Sequence, residues 1–251
     1  MNDEQLERIV PTQKTLEEFF IKFPDHKQRY DLAKSMVSTD MNVADCACGV
    51  GYGTYLLTDN VKTIIGFDIS DDALKHANNH FKLQNNSFIH ADNILDSKFD
   101  FIISFETIEH MDENAGDVFL TNFKNVLKPG GKLLISTPLN KTNKKHNVTP
   151  YHIREYDDYE FPEKLVNNGF KVIKMYGQGS DFHKKLYKNN SGISLFSIIK
   201  LGLHRFLPIG LRNKIKNIIL GNPNENLILT TENWRNSFIQ IALCELEDNN
   251  K

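Results

Sequence analysis

The chain has 251 residues, of which 40% are hydrophobic and 25% charged, and a formal net charge of −2. This is the composition of a folded globular protein with room for a sizeable core, and the near-neutral charge excludes a chain drawn electrostatically onto nucleic acid, so no DNA partner is expected. No apolar run approaches the ~18 residues of a membrane-spanning helix, and the opening MNDEQLERIV lacks the basic start and apolar centre of a signal peptide.

Residues 1–40 read as a helical N-terminal region, followed by short apolar runs that alternate with amphipathic stretches. The runs NVADCAC, KTIIGFDI, SFIHAD, FDFIISF and GKLLIST are bounded by Gly, Asp or Asn and read as buried strands. Between them, YGTYLLTD, DDALKHANNHFK and VFLTNFKNVLK have helical spacing. Such alternation implies βαβ units and a parallel sheet. KPGGK, Lys128 to Lys132, ends a helix and turns into the next strand. FKVIKMYG and SFIQIALCELE are two later strands, and Ser180 to Glu232 between them is too long for a turn. Its stretch Ser194 to Leu220, apolar and basic, reads as helical in pieces.

The three cysteines, Cys46, Cys48 and Cys244, are an odd count with a C-x-C spacing. They argue against a disulfide framework and for a reducing, cytoplasmic setting. No second Cys/His pair stands at a zinc-like distance from Cys46 and Cys48, which read as small buried strand residues.

The run VADCACGVGYGT places Gly49, Gly51 and Gly53 after a strand and at the start of a helix. Such a turn lets backbone approach a ligand and points helix N–H groups at its polar end. The next strand ends at Asp68, spaced from Gly49 as an acidic residue that accepts ribose hydroxyls should be. Asp92, just beyond the third strand, can accept from an adenine amino group. The competing readings are a tight turn without ligand and a helix N-cap at Asp68. The spacing is not the G-x-G-x-x-G of dinucleotide binders.

Taken together, VADCACGVGYGT, GFDIS, HADNIL and LKPGGKLLISTP resemble the ordered motifs of class I S-adenosylmethionine-dependent methyltransferases over about Arg29 to Gly177. That resemblance implies an α/β, Rossmann-like fold: a seven-stranded methyltransferase sheet with flanking helices and a final antiparallel hairpin. The chain would be a single methyltransferase domain, 1–251. It would carry an N-terminal helical cover (1–40), a cofactor-binding core (41–179), a helical insertion or cap between the last two strands (180–232), and a last strand with tail (233–251). Asp45, Gly49, Gly51 and Gly53 would border the methionine part of S-adenosyl-L-methionine, Asp68 and Ile69 its ribose and adenine, and Asp92 with Asn93 the adenine edge. Arg29 and Tyr30, in HKQRY, would close over it; the alternative is a solvated helix face.

SFETIEHM places Glu106, Glu109 and His110 at the carboxyl end of the fourth strand, where open α/β sheets carry their sites. HNVTPYHIREYDDYEF, after the fifth, adds His146, His152, Arg154, Glu155 and Tyr156. A sulfonium is already activated, so methyl transfer asks for alignment and, with a hydroxyl acceptor, removal of a proton. Glu109, His110 and His152 are the catalytic candidates, a histidine being the base. Some relatives, among them quinone-biosynthesis and small-RNA 2′-O-methyltransferases, carry a similar Glu-x-x-Glu-His segment and a later histidine that bind a divalent ion. The matching residues here are Glu106, Glu109, His110 and His152. The preferred reading is metal-free, with Glu109 and His110 ordering the loop.

ERIVP and TPYHIREYDDYEF look like a bacterial subgroup tied to surface-sugar and secondary metabolism, which implies O-methylation of a small polar acceptor such as a sugar or sugar nucleotide. Arg154 and His183, with Lys184 and Lys185, would contact it. The rival enzyme reading is an RNA or quinone-precursor O-methyltransferase with a divalent metal; near-neutral charge counts against RNA. From another class comes a protein that binds the cofactor without catalysis and uses Ser194 to Leu220 against a membrane or a second subunit in a homodimer.

Overall fold

The computed structural model describes residues 10–141, 151–179, 228–231 and 234–246. The N-terminal cover consists of α1 (Leu16–Lys22) and α2 (Pro24–Lys34). Pro24 suits the first turn of α2, where its fixed φ is already helical and no N–H is needed. The alternating region follows: β1 (Asn42–Cys46), α3 (Tyr52–Leu57), β2 (Thr63–Asp68), α4 (Asp71–Phe81), β3 (Asn86–His90), β4 (Phe99–Phe105), α5 (Glu113–Val126) and β5 (Leu127–Pro138). Last come α6 (Glu160–Asn167), β6 (Phe170–Gly179), β7 (Ile228–Thr230) and β8 (Ile239–Leu246).

All eight strands form one sheet in the order β3-β2-β1-β4-β5-β8-β6-β7. The five strands from β3 to β5 are parallel, and β8 runs antiparallel between β5 and β6. From β1 the chain builds outward to β2 and β3, then returns to lay β4 on the other side. The crevice between the carboxyl ends of β1 and β4 is thus a topological switch point, the place where such sheets bind ligands.

The sheet is buried on both faces, so its strands read as continuous apolar runs. Ile102 joins Phe123, Tyr156, Phe161 and Leu165 on one face, whereas Phe101 and Ile103 join Tyr30, Ala33 and Leu57 on the other. Each such side chain stabilises the fold by roughly 1.5–3 kcal/mol relative to exposure. Cys46, Cys48 and Cys244 are free and buried, Cys46 in β1 and Cys48 in the turn beyond it rather than in the strand as expected.

The seven expected strands all form, and two differences are instructive. An eighth strand, β7, pairs antiparallel with the end of β6. The expected helical insertion 180–232 therefore ends in a strand: Ile-Leu-Thr favours extended backbone, and Gly177–Gly179 offer it an open edge. The rest of that segment, with Ser194 to Leu220, lies outside the described residues. The second difference is α6, whose Phe161 and Leu165 are fully buried. Its short run of eight residues has too few turns to display a period in sequence. Among the described residues no helix is long and apolar enough to cross a membrane.

Candidate active site

The chain turns sharply between β1 and α3. Ala47 (φ 60°), Gly49 (φ 56°) and Gly51 (φ 88°) adopt left-handed backbone. Three hydrogen bonds hold the turn: Cys48 N–H to the Phe67 carbonyl at 2.9 Å, Gly51 N–H to the Cys48 carbonyl at 3.1 Å, and Gly49 N–H to Asp68 Oδ2 at 2.8 Å. Asp68 Oδ1 also accepts from Ser70 N–H at 2.9 Å, and Ser70 Oγ caps α4 by accepting from Ala73 N–H. Asp68 thus fixes the glycine turn and the start of α4 together, while each carboxylate oxygen keeps a lone pair for a further donor.

The three glycines have different reasons to lack a side chain. A Cβ on Gly49 would meet nothing within 4 Å, whereas one on Gly51 would lie 2.6 Å from Ala77 Cβ and 2.7 Å from the Phe88 ring. A Cβ on Gly53 would sit 1.8 Å from the Tyr30 ring. Gly49 therefore borders open space, and Gly51 and Gly53 are small so that α4, β3 and α2 can close on α3. Ala47, exposed at the tip of β1, is a strained position that the sequence reading missed, because alanine carries no signal for positive φ.

Arg29 and Tyr30 are 3% and 7% exposed, which overturns the solvated-face alternative. The Tyr30 hydroxyl donates to both carboxylate oxygens of Asp45 at 3.2 Å, and Thr54 Oγ1 donates to Asp45 Oδ2 at 2.7 Å. Burial pushes Asp45 up to about 6, while those two hydroxyls pull it down. Arg29 Nη1 donates to Gln178 Oε1 at 2.7 Å and lies 3.6 Å from Asp25 Oδ2. Gln178 in turn donates to the Asp25 carbonyl and to Gln28 Oε1, at 3.0 and 2.8 Å. The last strands thereby grip the cover helix. At the other side of the turn, Ile69 is 78% exposed, and Asp92 and Asn93 are exposed on a 3-10 turn after β3. Asp92 lies 3.2 Å from His90 Nδ1, and Asn93 Nδ2 donates to the His90 carbonyl.

Past the end of β4 stand the two glutamates and His110. Glu106 has φ 53°, and its Oε1 accepts from Ser136 Oγ at 2.6 Å. Glu109, on a 3-10 turn Ile108–His110, is 1% exposed. Its Oε2 accepts from Thr137 Oγ1 at 3.1 Å, and its buried Oε1 has no hydrogen-bond partner. Burial, and then the neighbouring Glu106, push Glu109 up to about 9, against hydrogen bonds from its own backbone N–H and Thr137 and the Arg29 charge. The Glu109 carbonyl accepts from the N–H groups of Ile153 and Arg154, at 2.8 and 3.0 Å, and so pins the later loop to this turn.

That pinning brings His152 beside His110, with ring centroids 5.2 Å apart and rings at 82°. One ligand-capable atom from each of Glu109, His110 and His152 falls within 4.8 Å of the others. Glu106 is not in this group and accepts from Ser136 instead, so of the four residues that the resemblance offered for a metal, three come together. The three residues fit a divalent cation. Glu109 offers an unpartnered buried oxygen, and both rings have Nδ1 engaged elsewhere, by the Tyr151 carbonyl at 3.0 Å and by Glu155 Oε1 at 2.7 Å. One carboxylate and two imidazoles suit a borderline metal such as iron or zinc better than an ion that takes only oxygen ligands, and the harder manganese can take the same mixed set.

Arg154 is not placed as expected for an acceptor contact. It pairs with Glu113 and Glu160 and stacks on Tyr156, because its backbone is drawn down to Glu109 and its side chain then lies over the acidic start of α5 and α6. Lys164 completes this network with Glu113 and Asp117. His146, His183, Lys184 and Lys185 lie outside the described residues.

A family model described as "Methyltransferase domain" matches residues 37–190, more than half of the chain. A Mycolicibacterium smegmatis protein named "Probable S-adenosylmethionine-dependent methyltransferase" is 30% identical over 144 residues, 54% of each chain. The mitochondrial ubiquinone biosynthesis O-methyltransferase of Dictyostelium discoideum is 33% identical over 119 residues, 41% of this chain and 36% of that one. The chain thus spans about half the length, or less, of these curated relatives. Among solved structures, the N-methyltransferase NodS of Bradyrhizobium japonicum, in complex with S-adenosyl-L-homocysteine, superposes with a TM-score of 0.56 at 15% identity, over 91% of this chain and 88% of that one.

Proposed function

The chain belongs to the class I S-adenosylmethionine-dependent methyltransferases, and from that premise we propose that it methylates a hydroxyl of a small polar acceptor with the Glu109–His110–His152 group as its reaction centre. The observation that carries this reading is Glu109, buried at the carboxyl edge with Oε1 unpartnered and grouped with the imidazoles of His110 and His152. A buried polar atom without a partner costs about 1–3 kcal/mol, which a bound ligand would offset.

When bound, S-adenosylmethionine supplies an activated methyl on sulfur. The chain's residues would then hold and orient. Gly49 leaves room for the backbone to approach the ligand, Asp68 has lone pairs for ribose hydroxyls, and Ile69 and Asp92 offer an apolar cover and an acceptor for adenine. Arg29 keeps a largely buried positive charge near the turn, suited to a carboxylate. Glu109, His110 and His152 would hold a divalent cation, which supplies a lowered pKa for a coordinated hydroxyl. Without one, the free imidazole lone pair of His110 or His152 takes the hydroxyl proton. The triad geometry favours the cation, a change from the metal-free preference drawn from sequence.

Support for a hydroxyl acceptor comes from the O-methyltransferase named among the relatives; the sugar-like acceptor rests on the motif resemblance alone. The test is a screen of nucleotide-sugars, quinone precursors and small RNAs with methyl-labelled cofactor, run with EDTA and with added Mn²⁺. Transfer to a hydroxyl that EDTA stops and Mn²⁺ restores is expected. Transfer that persists in EDTA with metal-free protein would leave the histidine as base, and transfer only to nitrogen would overturn the acceptor class.

A further inference from the structure

The partner of His152 adds a residue to this reading. His152 Nδ1 lies 2.7 Å from Glu155 Oε1, and the two side chains are 15% and 6% exposed. A carboxylate can only accept, so the ring must donate through Nδ1–H, and its remaining lone pair is on Nε2. A free neutral imidazole prefers the opposite tautomer. His110 is treated alike by a different group: the Tyr151 carbonyl, also acceptor-only, takes its Nδ1–H at 3.0 Å. Both rings are therefore set to present bare Nε2 atoms, and one ligand-capable atom of each ring lies within 4.8 Å of one from Glu109.

We propose that Glu155 is the positioning residue of His152: its carboxylate fixes the Nδ1–H tautomer and the ring direction, so that Nε2 is ready as a ligand or proton acceptor. Outer partners of this kind hold ring orientation and raise ligand basicity. Glu155 follows His152 by three residues, which places both on one side of a single turn, while Ile153 and Arg154 between them are anchored through their N–H groups to the Glu109 carbonyl. The turn thus clips to the site through its centre and aims the histidine with its end. Glu155 touches neither substrate nor cofactor in this assignment. It rests on the proposed reaction centre for its purpose, but its effect on His152 can be read separately.

The experiment uses the full chain labelled with ¹⁵N-histidine, the His152 resonances being assigned by their loss in His152→Gln. Wild-type protein at neutral pH should show His152 protonated at Nδ1 and bare at Nε2. In Glu155→Ala the proton should move to Nε2 or exchange between the two. Binding of Mn²⁺, followed by the loss of the free-ion electron paramagnetic signal, should weaken 10–100-fold in Glu155→Ala, with Glu155→Asp in between. Glu155→Gln keeps the volume and an acceptor oxygen, so it should keep the tautomer and lose several-fold in Mn²⁺ affinity; it serves if the alanine variant melts early. A wild-type His152 protonated at Nε2 would overturn the assignment, as would a Glu155→Ala variant with tautomer and Mn²⁺ affinity unchanged. If the tautomer shifts as expected but wild-type protein binds no Mn²⁺, the role of Glu155 is upheld and the metal reading of the site is lost.

Discussion

Asp45 and Glu109 invite direct comparison. Each is a carboxylate only 1% exposed, one at the end of β1 and the other just beyond β4, on either side of the switch-point crevice. Asp45 accepts from two hydroxyls, those of Tyr30 and Thr54, and burial lifts it only to about 6. Glu109 accepts from one, leaves an oxygen unpartnered, and is lifted to about 9. On the side of the glycine turn, Asp68 holds the turn and Asp45 ties to the helix α2 through Tyr30. The Glu109 side is incomplete, and a buried group left short of partners is where an added cation or acceptor gains most.

The strongest way to break this contrast is through turnover. Glu109→Ala, or His152→Ala, should lower kcat by roughly 10²–10⁴ and leave S-adenosylhomocysteine affinity near wild type. If both variants lose cofactor affinity and keep kcat, the two halves have been assigned the wrong way round.

The pH dependence of stability should separate the same two acids. A carboxyl raised in the folded state keeps a proton that the unfolded chain has released. Its contribution is full below the unfolded pKa and is lost as pH rises through the folded one. For Asp45 that window runs from 3.8 to about 6, and for Glu109 from 4.5 to about 9. Replacing Glu109 by Gln should therefore gain on wild type steadily between those limits, by up to several kcal/mol at ~1.4 kcal/mol per pH unit. Asp45→Asn should gain only at the acidic end and level off near pH 7. Urea melts at pH 5, 7 and 9 measure both, and parallel curves for the two variants would remove the distinction. Added Mn²⁺ should raise the Tm of wild type and leave Glu109→Gln unmoved.

Smaller effects test the cofactor half itself. Gly53→Ala should destabilise by about 1–3 kcal/mol, since its Cβ would enter the space of the Tyr30 ring and that ring is tied to Asp45. Asp68→Ala should weaken S-adenosylhomocysteine binding by about 1–3 kcal/mol in calorimetry, through the lost ribose acceptor and the freed Gly49 N–H. Unchanged affinity in a folded protein would end the ribose assignment. The smallest change is a gain: Ala47→Gly relieves a left-handed alanine and should stabilise by about 0.5–1 kcal/mol. A loss of stability there would mean that the Ala47 methyl has a packing role.

Much of this was legible before any coordinates. Strands buried on both faces announce themselves as short apolar runs between breakers, which is how all seven expected strands were found in VADCAC, IIGFDI and their fellows. The glycines of the turn were equally visible, since a sharp turn at a strand end needs residues that tolerate positive φ. Their division of labour was not, because whether a missing Cβ faces Tyr30 or open space depends on what packs there. Strand β7 escaped notice because it needed the free edge of β6, and α6 because it is short.

The sequence by itself determined the parallel sheet, the family and the place of the glycine turn after β1, for these follow from local backbone demands repeated along the chain in a fixed order. Only the tertiary structure decided that Glu109, His110 and His152 draw together without Glu106, that Arg154 pairs with Glu113 and Glu160, and that His152 meets Glu155. The later loop is joined to the site by two backbone hydrogen bonds from residues 153 and 154 to the carbonyl of Glu109, and Glu106 is held away by Ser136. Spacing along a sequence reports which side chains can share a strand or a turn. It carries no measure of which distant loop a buried carbonyl will capture, because that choice is made by the summed packing of the whole sheet edge.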